Sequence, residues 1–280
     1  MMSRFLAAAV CAVLPVSGAM AADGKLLGTP AVTQVEGTGG TGVVPWAILA
    51  GYDTDEQVAV SSFATAVNVD DFRLRVYGAA LSVSDRLELS VAHQDIEVVP
   101  LGVDIEQSVI GAKLKLAGDL LYTSLPQISA GLQYKRLDDP SVPFLLGARD
   151  DAGIDYYVAA SRLNLGAVFG YNLLWNVTAR ATRANQNGLL GHGGDLNDDY
   201  EIMLEGSAAV LLNRHLAVGF DLRGKPDNLS SVPEDRWADI FVAWFPNKHI
   251  NVTAAWADLG NIAGLPDQRG VYVSVTGYLR

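Results

Sequence analysis

Cysteine, basic residues and long apolar runs are all scarce in this chain. Its one cysteine, Cys11, lies close to the N-terminus, so disulfides and thiol chemistry are excluded from the rest. Lys and Arg number 20 against 31 Asp and Glu, and the net charge of −11 disfavours a nucleic-acid partner. A helix needs about 20 apolar residues to span a bilayer. The longest later apolar run, 43–52, is shorter and contains a proline, so no transmembrane helix is predicted.

The first 21 residues have the features of a secretory signal peptide. Arg4 precedes the apolar run 5–16, and Ala19-Met20-Ala21 fits the small-residue cleavage pattern. We therefore expect export through a cleaved signal peptide, with residues 22–57 and 58–280 as the two parts of the mature chain.

From Phe72 onward, apolar and polar residues alternate in segments of about ten residues separated by turns. The clearest example is 72–77, where Arg73 and Arg75 alternate with Phe72, Leu74 and Val76. This period indicates β-strands with one wet and one apolar face. Tight turns alternate with long acidic loops, which is typical of outer-membrane barrels.

Residues 58–280 are therefore predicted to form an all-β, antiparallel transmembrane β-barrel of about 12 strands, with 14 as the alternative. Short turns should be periplasmic and long acidic loops extracellular. The predicted location is the outer membrane of a Gram-negative bacterium. The partners expected there are outer-membrane lipid, lipopolysaccharide and the barrel assembly machinery.

Strand parity assigns a set of charged side chains to the lumen. Those up to residue 180 are mostly basic and the later ones acidic, so opposite walls of a pore would carry opposite charge. The alternative is that these side chains pair across the lumen and close it. The predicted pore-lining residues are Arg73, Arg75, Glu88, Lys113, Lys115, Lys135, Arg180, Glu201, Glu205, Asp221 and Asp239.

Residues 22–57 are rich in glycine and differ from the barrel pattern. They lack the lysine and hydroxyl residue of a phosphate-binding loop. We expect a plug that enters the lumen, with an extra strand or a flexible leader as the alternative. The candidate plug residues are Gly37, Gly39, Gly40, Gly42, Pro45 and Trp46.

Two stretches resemble a known family. They are VEGTGGTG with VPWA and GY in 35–52, and RATRANQNGLLG with GG in 180–194. Together they are similar to an uncharacterised family of secreted proteobacterial proteins, domain of unknown function 3034. The resemblance implies an outer-membrane barrel and no assigned activity. His192 stands where an aromatic residue is expected in the glycine stretch.

Three functions are compatible with these features. The first is a passive channel or uptake route for an unidentified small solute, and the alternative is a closed structural or surface-interaction barrel. An outer-membrane lipid hydrolase is the least favoured, because His93 and Ser90 fall on opposite faces of one strand. The run 195–199 lacks the glycine and glutamate of a calcium loop. We therefore predict no enzyme activity, catalytic residue, metal or cofactor.

Overall fold

The computed structural model describes residues 25–279, and the predicted signal peptide lies outside them. Twelve antiparallel strands form a closed barrel in which the last strand pairs with the first, as predicted. The alternating faces found in the sequence give each strand one side toward the lumen and one toward the outside. The barrel strands are β3 (Val58–Val69), β4 (Phe72–Val83), β5 (Leu87–Val98), β6 (Val103–Ala117), β7 (Gln127–Leu137), β8 (Ala152–Val168), β9 (Tyr171–Thr182), β10 (Glu201–Asn213), β11 (Leu216–Arg223), β12 (Trp237–Asn247), β13 (Ile250–Asp258) and β14 (Arg269–Leu279).

The two ends of the barrel differ in their connections. The lower end carries the turns 84–86, 169–170, 214–215 and 248–249 and the loop 118–126. The upper end carries the short turns 70–71 and 99–102 and four longer loops. A short helix, α1 (Ser141–Leu145), lies in the loop 138–151, and a tight turn, Asn185–Gly188, lies in the loop 183–200. No helix within 25–279 is long and apolar enough to cross a membrane. The four longer loops at the upper end are 138–151, 183–200, 224–236 and 259–268.

The N-terminal segment lies inside the barrel. Residues 30–53 are buried, and two short strands, β1 (Val32–Thr33) and β2 (Gly39–Gly40), pair with each other within it. The chain then leaves the lumen at the lower end and begins β3 at Val58. We call residues 25–57 the plug.

The outer face of the barrel is apolar over its lower part. Exposed side chains there include Leu89, Val91 and Leu114, and the last strand contributes Val275 and Leu279. A continuous apolar band of this kind on a closed barrel is suited to contact with lipid. We call it the apolar band.

On β4, β5 and β6 the outer face becomes charged above the apolar band, and this corrects two pore-lining predictions. Arg73 and Arg75 point outward with side chains 51% and 61% exposed. Arg73 Nη1 lies 3.4 Å from Glu97 Oε2, and Arg75 Nη1 lies 3.7 Å from Asp95 Oδ2. These two acidic residues belong to β5, and only 99–102 form a turn before β6 begins.

The apolar residues of the same strand face the lumen. Phe72, Leu74 and Val76 are all buried inside the upper end of the barrel. The parity prediction was wrong for this strand because it assumed a polar lumen along the whole height. Here the lumen is apolar near the upper end, and the charged residues are on the solvent side.

Candidate functional site

A plug carboxylate lies at the centre of a buried ionic cluster. Glu36 receives two hydrogen bonds from Arg223, Nη1 to Oε2 at 2.8 Å and Nη2 to Oε1 at 2.9 Å. Lys135 Nζ donates to Glu36 Oε1, and Arg180 Nη2 lies 3.5 Å from Oε2. All four side chains are almost completely buried. The plug is thus bound to three cations from three different strands.

Wall carboxylates complete this cluster. Lys135 Nζ lies 2.7 Å from Asp155 Oδ2, and Arg180 Nη1 lies 3.2 Å from the same oxygen. Arg180 Nε also donates to Glu205 Oε1 at 2.5 Å. Three cations therefore meet three carboxylates, of which only Glu36 comes from the plug. Because buried charges require partners, the wall alone would hold an uncompensated cation.

A second wall pair holds the glycine-rich part of the plug. Glu88 accepts hydrogen bonds from the Gly39 amide at 2.9 Å and from the Ala50 amide at 2.6 Å. Lys113 Nζ donates to the carbonyl oxygens of Gly39 and Ile48, at 2.7 and 3.0 Å. Glu88 and Lys113 also form an ion pair at 3.3 Å. One buried pair thus binds both sides of the folded-back plug.

Glycine is required where the plug folds back on itself. An added Cβ on Gly39 would lie 2.6 Å from the Ala50 nitrogen, and one on Gly40 would overlap the Val44 carbonyl. Pro45 and Trp46 follow at the turn, where the Trp46 indole donates to Ser207 Oγ at 2.9 Å. Any side chain at these two glycines would force the plug backbone apart.

Polar wall residues bond the remaining plug carbonyls. Gln127 and Ser129 both donate to Ala47 O, at 2.8 and 2.6 Å. Thr178 Oγ1 donates to Pro45 O at 2.7 Å, and Gln94 Nε2 donates to Val35 O at 2.8 Å. The plug is therefore held by hydrogen bonds from many strands of the wall.

The structure separates the predicted pore-lining residues into two groups. Arg73 and Arg75 are outside, as described above. The others lie on the inward side of their strands, and they are Glu88, Lys113, Lys115, Lys135, Arg180, Glu201, Glu205, Asp221 and Asp239. Of these, Glu88, Lys113, Lys135 and Arg180 contact the plug directly, whereas Glu201 at the upper end accepts a hydrogen bond from the loop residue Asn197. The candidate plug residues Gly37, Gly39, Gly40, Gly42, Pro45 and Trp46 are all buried in the lumen.

Three members of the central cluster were missing from the sequence-based set: Glu36, Asp155 and Arg223. Strand parity could have identified Asp155, because it alternates with the inward residues Tyr157 and Ala159 on β8. Nothing in the local sequence distinguishes Glu36. It becomes recognisable only when the plug is placed inside the barrel.

Two acidic side chains in the lumen have no cation beside them. Asp221 and Asp239 are directly opposite each other on β11 and β12. Asp221 Oδ1 accepts a hydrogen bond from Ser207 Oγ at 2.6 Å. Within residues 25–279, neither carboxylate lies within 4.0 Å of a basic nitrogen. This part of the wall therefore holds two adjacent carboxyl groups with no cation to compensate them.

The loop 183–200 folds inward above the plug, and we call its buried part, 184–194, the lid. Asn187 O accepts a hydrogen bond from Lys135 Nζ at 3.0 Å, which joins the lid to the central cluster. Lys225 Nζ lies 2.7 Å from Glu234 Oε2 and donates to Gln186 Oε1 at 2.7 Å. Burial lowers the pKa of Lys225 and raises the pKa of Glu234.

His192 lies within the lid and is completely buried. Its amide and carbonyl pair with the backbone of Asp150, at 3.0 and 3.1 Å. Its ring fills the space above Gly153, where a Cβ would collide with it. Burial lowers the pKa of His192 to about 4, so the ring is neutral at pH 7.

Comparison with known proteins identifies a family and a fold. The model of the family "Protein of unknown function (DUF3034)" matches residues 29–276. No curated protein matches the sequence. The fold is similar to that of NanC porin (TM-score 0.52, 8% identity), covering 79% of this chain and 100% of that one. It is also similar to KdgM porin (TM-score 0.51, 11% identity), covering 79% and 99%.

Proposed function

Because this chain belongs to the DUF3034 family and folds like the outer-membrane porins, we propose that it is an outer-membrane channel that its own plug closes. The apolar band would contact lipid, and the charged upper end would face outward near lipopolysaccharide. The channel would serve as an uptake route for a small solute. Export through a cleaved signal peptide and the barrel assembly machinery would place it in that membrane.

The polar character of the wall behind the plug is the observation that carries this proposal. A barrel that is permanently filled has no need of charged and amide side chains along its interior. This wall presents Lys113, Lys135 and Arg180 together with glutamine, serine and threonine residues. Water could solvate each of these groups once the plug withdrew. The wall therefore has the chemistry of an aqueous pore.

Water can replace most of the hydrogen bonds between plug and wall. Hydrogen bonds lost from the plug would be replaced by hydrogen bonds to water, so their net contribution to closure is small for each bond. The central cluster contributes more, because Glu36 compensates buried cations. We infer that the plug closes the pore firmly but reversibly.

A reversible disulfide between plug and wall would test the channel directly. Thr41 Oγ1 in the plug lies 3.3 Å from Ser207 Oγ on β10, which is close enough for a Thr41→Cys/Ser207→Cys pair. The chain after Cys11 contains no other cysteine that could interfere. In planar bilayers under voltage ramps, we expect discrete openings from the reduced variant and from the wild type, and none from the oxidised variant.

The two single cysteine variants are the controls, since neither can form the bond. Each should open equally often under oxidising and reducing conditions. Folded protein, identified by its shifted mobility in unheated gels, that stays silent in reduced and oxidised forms alike would contradict the channel. That result would support the closed structural barrel instead.

Lipid hydrolysis is a second candidate, favoured by one arrangement on the outer face. His93 Nδ1 lies 3.4 Å from Ser108 Oγ, and His93 Nε2 lies 3.5 Å from Glu106 Oε2. The order serine, histidine, carboxylate is that of a hydrolase triad. Fatty-acid release from phospholipid vesicles that is lost in Ser108→Ala, and retained in the inward-facing Ser90→Ala, would support it. Absence of release from the wild type would reject it.

A further inference from the structure

An apolar cavity of about 250 Å³ lies in the upper lumen, apart from the polar wall around the plug. Strands β4, β5, β6 and β12 supply Leu74, Ile96, Ile105 and Trp237 to its lining, and the lid supplies Leu189 and Leu190. All six side chains are buried. The polar interior of the barrel is thus interrupted by an apolar cavity near the upper end.

Two side chains of this lining carry polar groups: the Trp237 indole N–H, a neutral donor with no hydrogen-bond partner among residues 25–279, and the Gln186 amide, which is bonded elsewhere. Gln186 Nε2 donates to Asn261 O at 2.8 Å, and Gln186 Oε1 accepts from Lys225 Nζ at 2.7 Å. A charged or strongly polar ligand would therefore lose its hydration and find at most one neutral donor, the Trp237 indole N–H, in return. We propose that the cavity binds an uncharged, apolar small molecule, such as a monoaromatic hydrocarbon or a short aliphatic chain.

The size of the cavity fits this class of ligand. An engineered protein cavity of about 150 Å³ lined by apolar side chains stays dry and binds benzene. The present cavity is larger than that. Protein interiors seldom leave such volumes empty, because unfilled apolar space costs stability in proportion to its volume. A bound apolar molecule would restore the missing contacts.

The mouth of the cavity is also apolar. Leu101, in the turn 99–102, lines the cavity and is 73% exposed. Leu145 in α1 is 87% exposed, and its neighbours Val142 and Leu146 line the cavity. Exposed leucines at a rim allow an apolar molecule to enter without crossing a hydrated polar surface. The cavity is therefore a site filled from outside the upper end.

This inference rests on the proposed function, because it gives the substrate class of the channel, but its test does not require conduction. The probe is trifluoromethylbenzene, added to the full-length protein in lipid nanodiscs and observed by ¹⁹F NMR. We expect a bound resonance, distinct from that of lipid-dissolved probe, which saturates at one molecule per barrel. The charged analogue 4-(trifluoromethyl)benzoate should give no such resonance.

Two substitutions of the same kind on one strand locate the site. Val98→Phe fills part of the cavity and should weaken binding about tenfold, because the added ring occupies the ligand's space. Val91→Phe makes the same change on the outward face of β5 and should leave binding unchanged. A Leu74→Met variant, which keeps side-chain volume, should also bind and shows that cavity residues tolerate substitution.

The outcomes separate this inference from the channel proposal. No saturable resonance, or one equally strong in the Val98→Phe and Val91→Phe variants, overturns the apolar site. Openings controlled by the Thr41→Cys/Ser207→Cys disulfide without probe binding would leave the channel standing and remove only the ligand. Probe binding by a barrel that never conducts would establish the site and reject the channel.

Discussion

Glu36 and Arg223 are 187 residues apart in the chain, yet the Arg223 guanidinium donates a hydrogen bond to each carboxylate oxygen of Glu36, at 2.8 and 2.9 Å. Such bidentate, charge-assisted pairs are among the stronger polar contacts in proteins, particularly when buried. This one joins the plug to β11. It is therefore the contact most suited to setting how often the plug releases.

Replacing Arg223 with lysine keeps the positive charge but removes the bidentate pair of hydrogen bonds to Glu36. We expect plug docking to weaken by about 1.5 kcal/mol, which corresponds to an increase of about tenfold in open probability. Single-channel recording measures it. The matched control is Arg269→Lys, which alters an exposed pair with Asp258 at 2.8 Å and should leave gating unchanged. Equal effects of the two variants would contradict a gating role for Arg223.

Glu88→Gln should loosen the glycine-rich part of the plug while the barrel stays folded. A glutamine amide would present a donor where Glu88 Oε2 now accepts from Ala50 N–H at 2.6 Å and from Lys113 at 3.3 Å. Two donors would then face each other in a buried site. Hydrogen exchange at Ala50 should become at least about tenfold faster. Glu97→Gln, on the outer face, should leave that rate unchanged. An unaltered Ala50 rate in both variants would argue against Glu88 as the residue that holds this part of the plug.

The outward position of Arg73 changes which residues should set ion selectivity. Asp239 lies in the lumen beside Asp221 and away from cations, so Asp239→Asn should reduce the preference of the open channel for cations. Arg73→Glu should leave selectivity unchanged, although it reverses a charge, because its side chain is outside and exposed. Reversal potentials in a salt gradient measure both. A large shift with Arg73→Glu would restore the parity assignment.

Arg73 also shows where reasoning from the sequence reaches its limit. Alternation identifies the two faces of each strand, and together with turn spacing it correctly predicted twelve strands and a closed barrel. It cannot say which face is inside when the lumen changes character with height. The assignment of Arg73 and Arg75 to the lumen placed the apolar residues Phe72 and Leu74 toward lipid. In the structure these two residues line the apolar cavity in the upper lumen.

Glu36 was missed for a different reason. Its partners Lys135, Arg180 and Arg223 come from strands that are distant in sequence, and only closure of the barrel brings them together. The glycine pattern around residue 39 did indicate a segment able to fold tightly. A single carboxylate within that segment carries no local signal of the three cations that it meets.

Acid should open the lid. The pKa of His192 is about 4 in the folded lid against an ordinary value of about 6.5, because burial disfavours the charged ring. Below pH 6.5 the open lid therefore takes up a proton that the closed lid excludes. The closed lid therefore has its full stability above that pH and loses it as pH falls toward 4. Amide protection in the lid should fall about tenfold for each pH unit in this range. Protection factors from hydrogen exchange, corrected for intrinsic rates, should show this at His192, and His192→Phe should flatten the profile.

Occupancy of the apolar cavity should stabilise the lid, because Leu189 and Leu190 contact the ligand while the adjacent Asn187 accepts a bond from Lys135. A ligand that binds only the closed lid protects it in proportion to its concentration, so probe at ten times its dissociation constant should slow exchange at Leu190 about tenfold. The Leu190 amide is suitable because it donates to Asn185 O at 3.1 Å. The Tyr278 amide, bonded to His249 O at 2.8 Å at the lower end of the barrel, is the internal control. By linkage, a ligand that favours the closed lid must bind less tightly once the lid has opened. Opening of the lid together with the plug would therefore release an apolar solute from the cavity. Unchanged exchange at Leu190 under saturating probe would show that cavity and lid are not coupled.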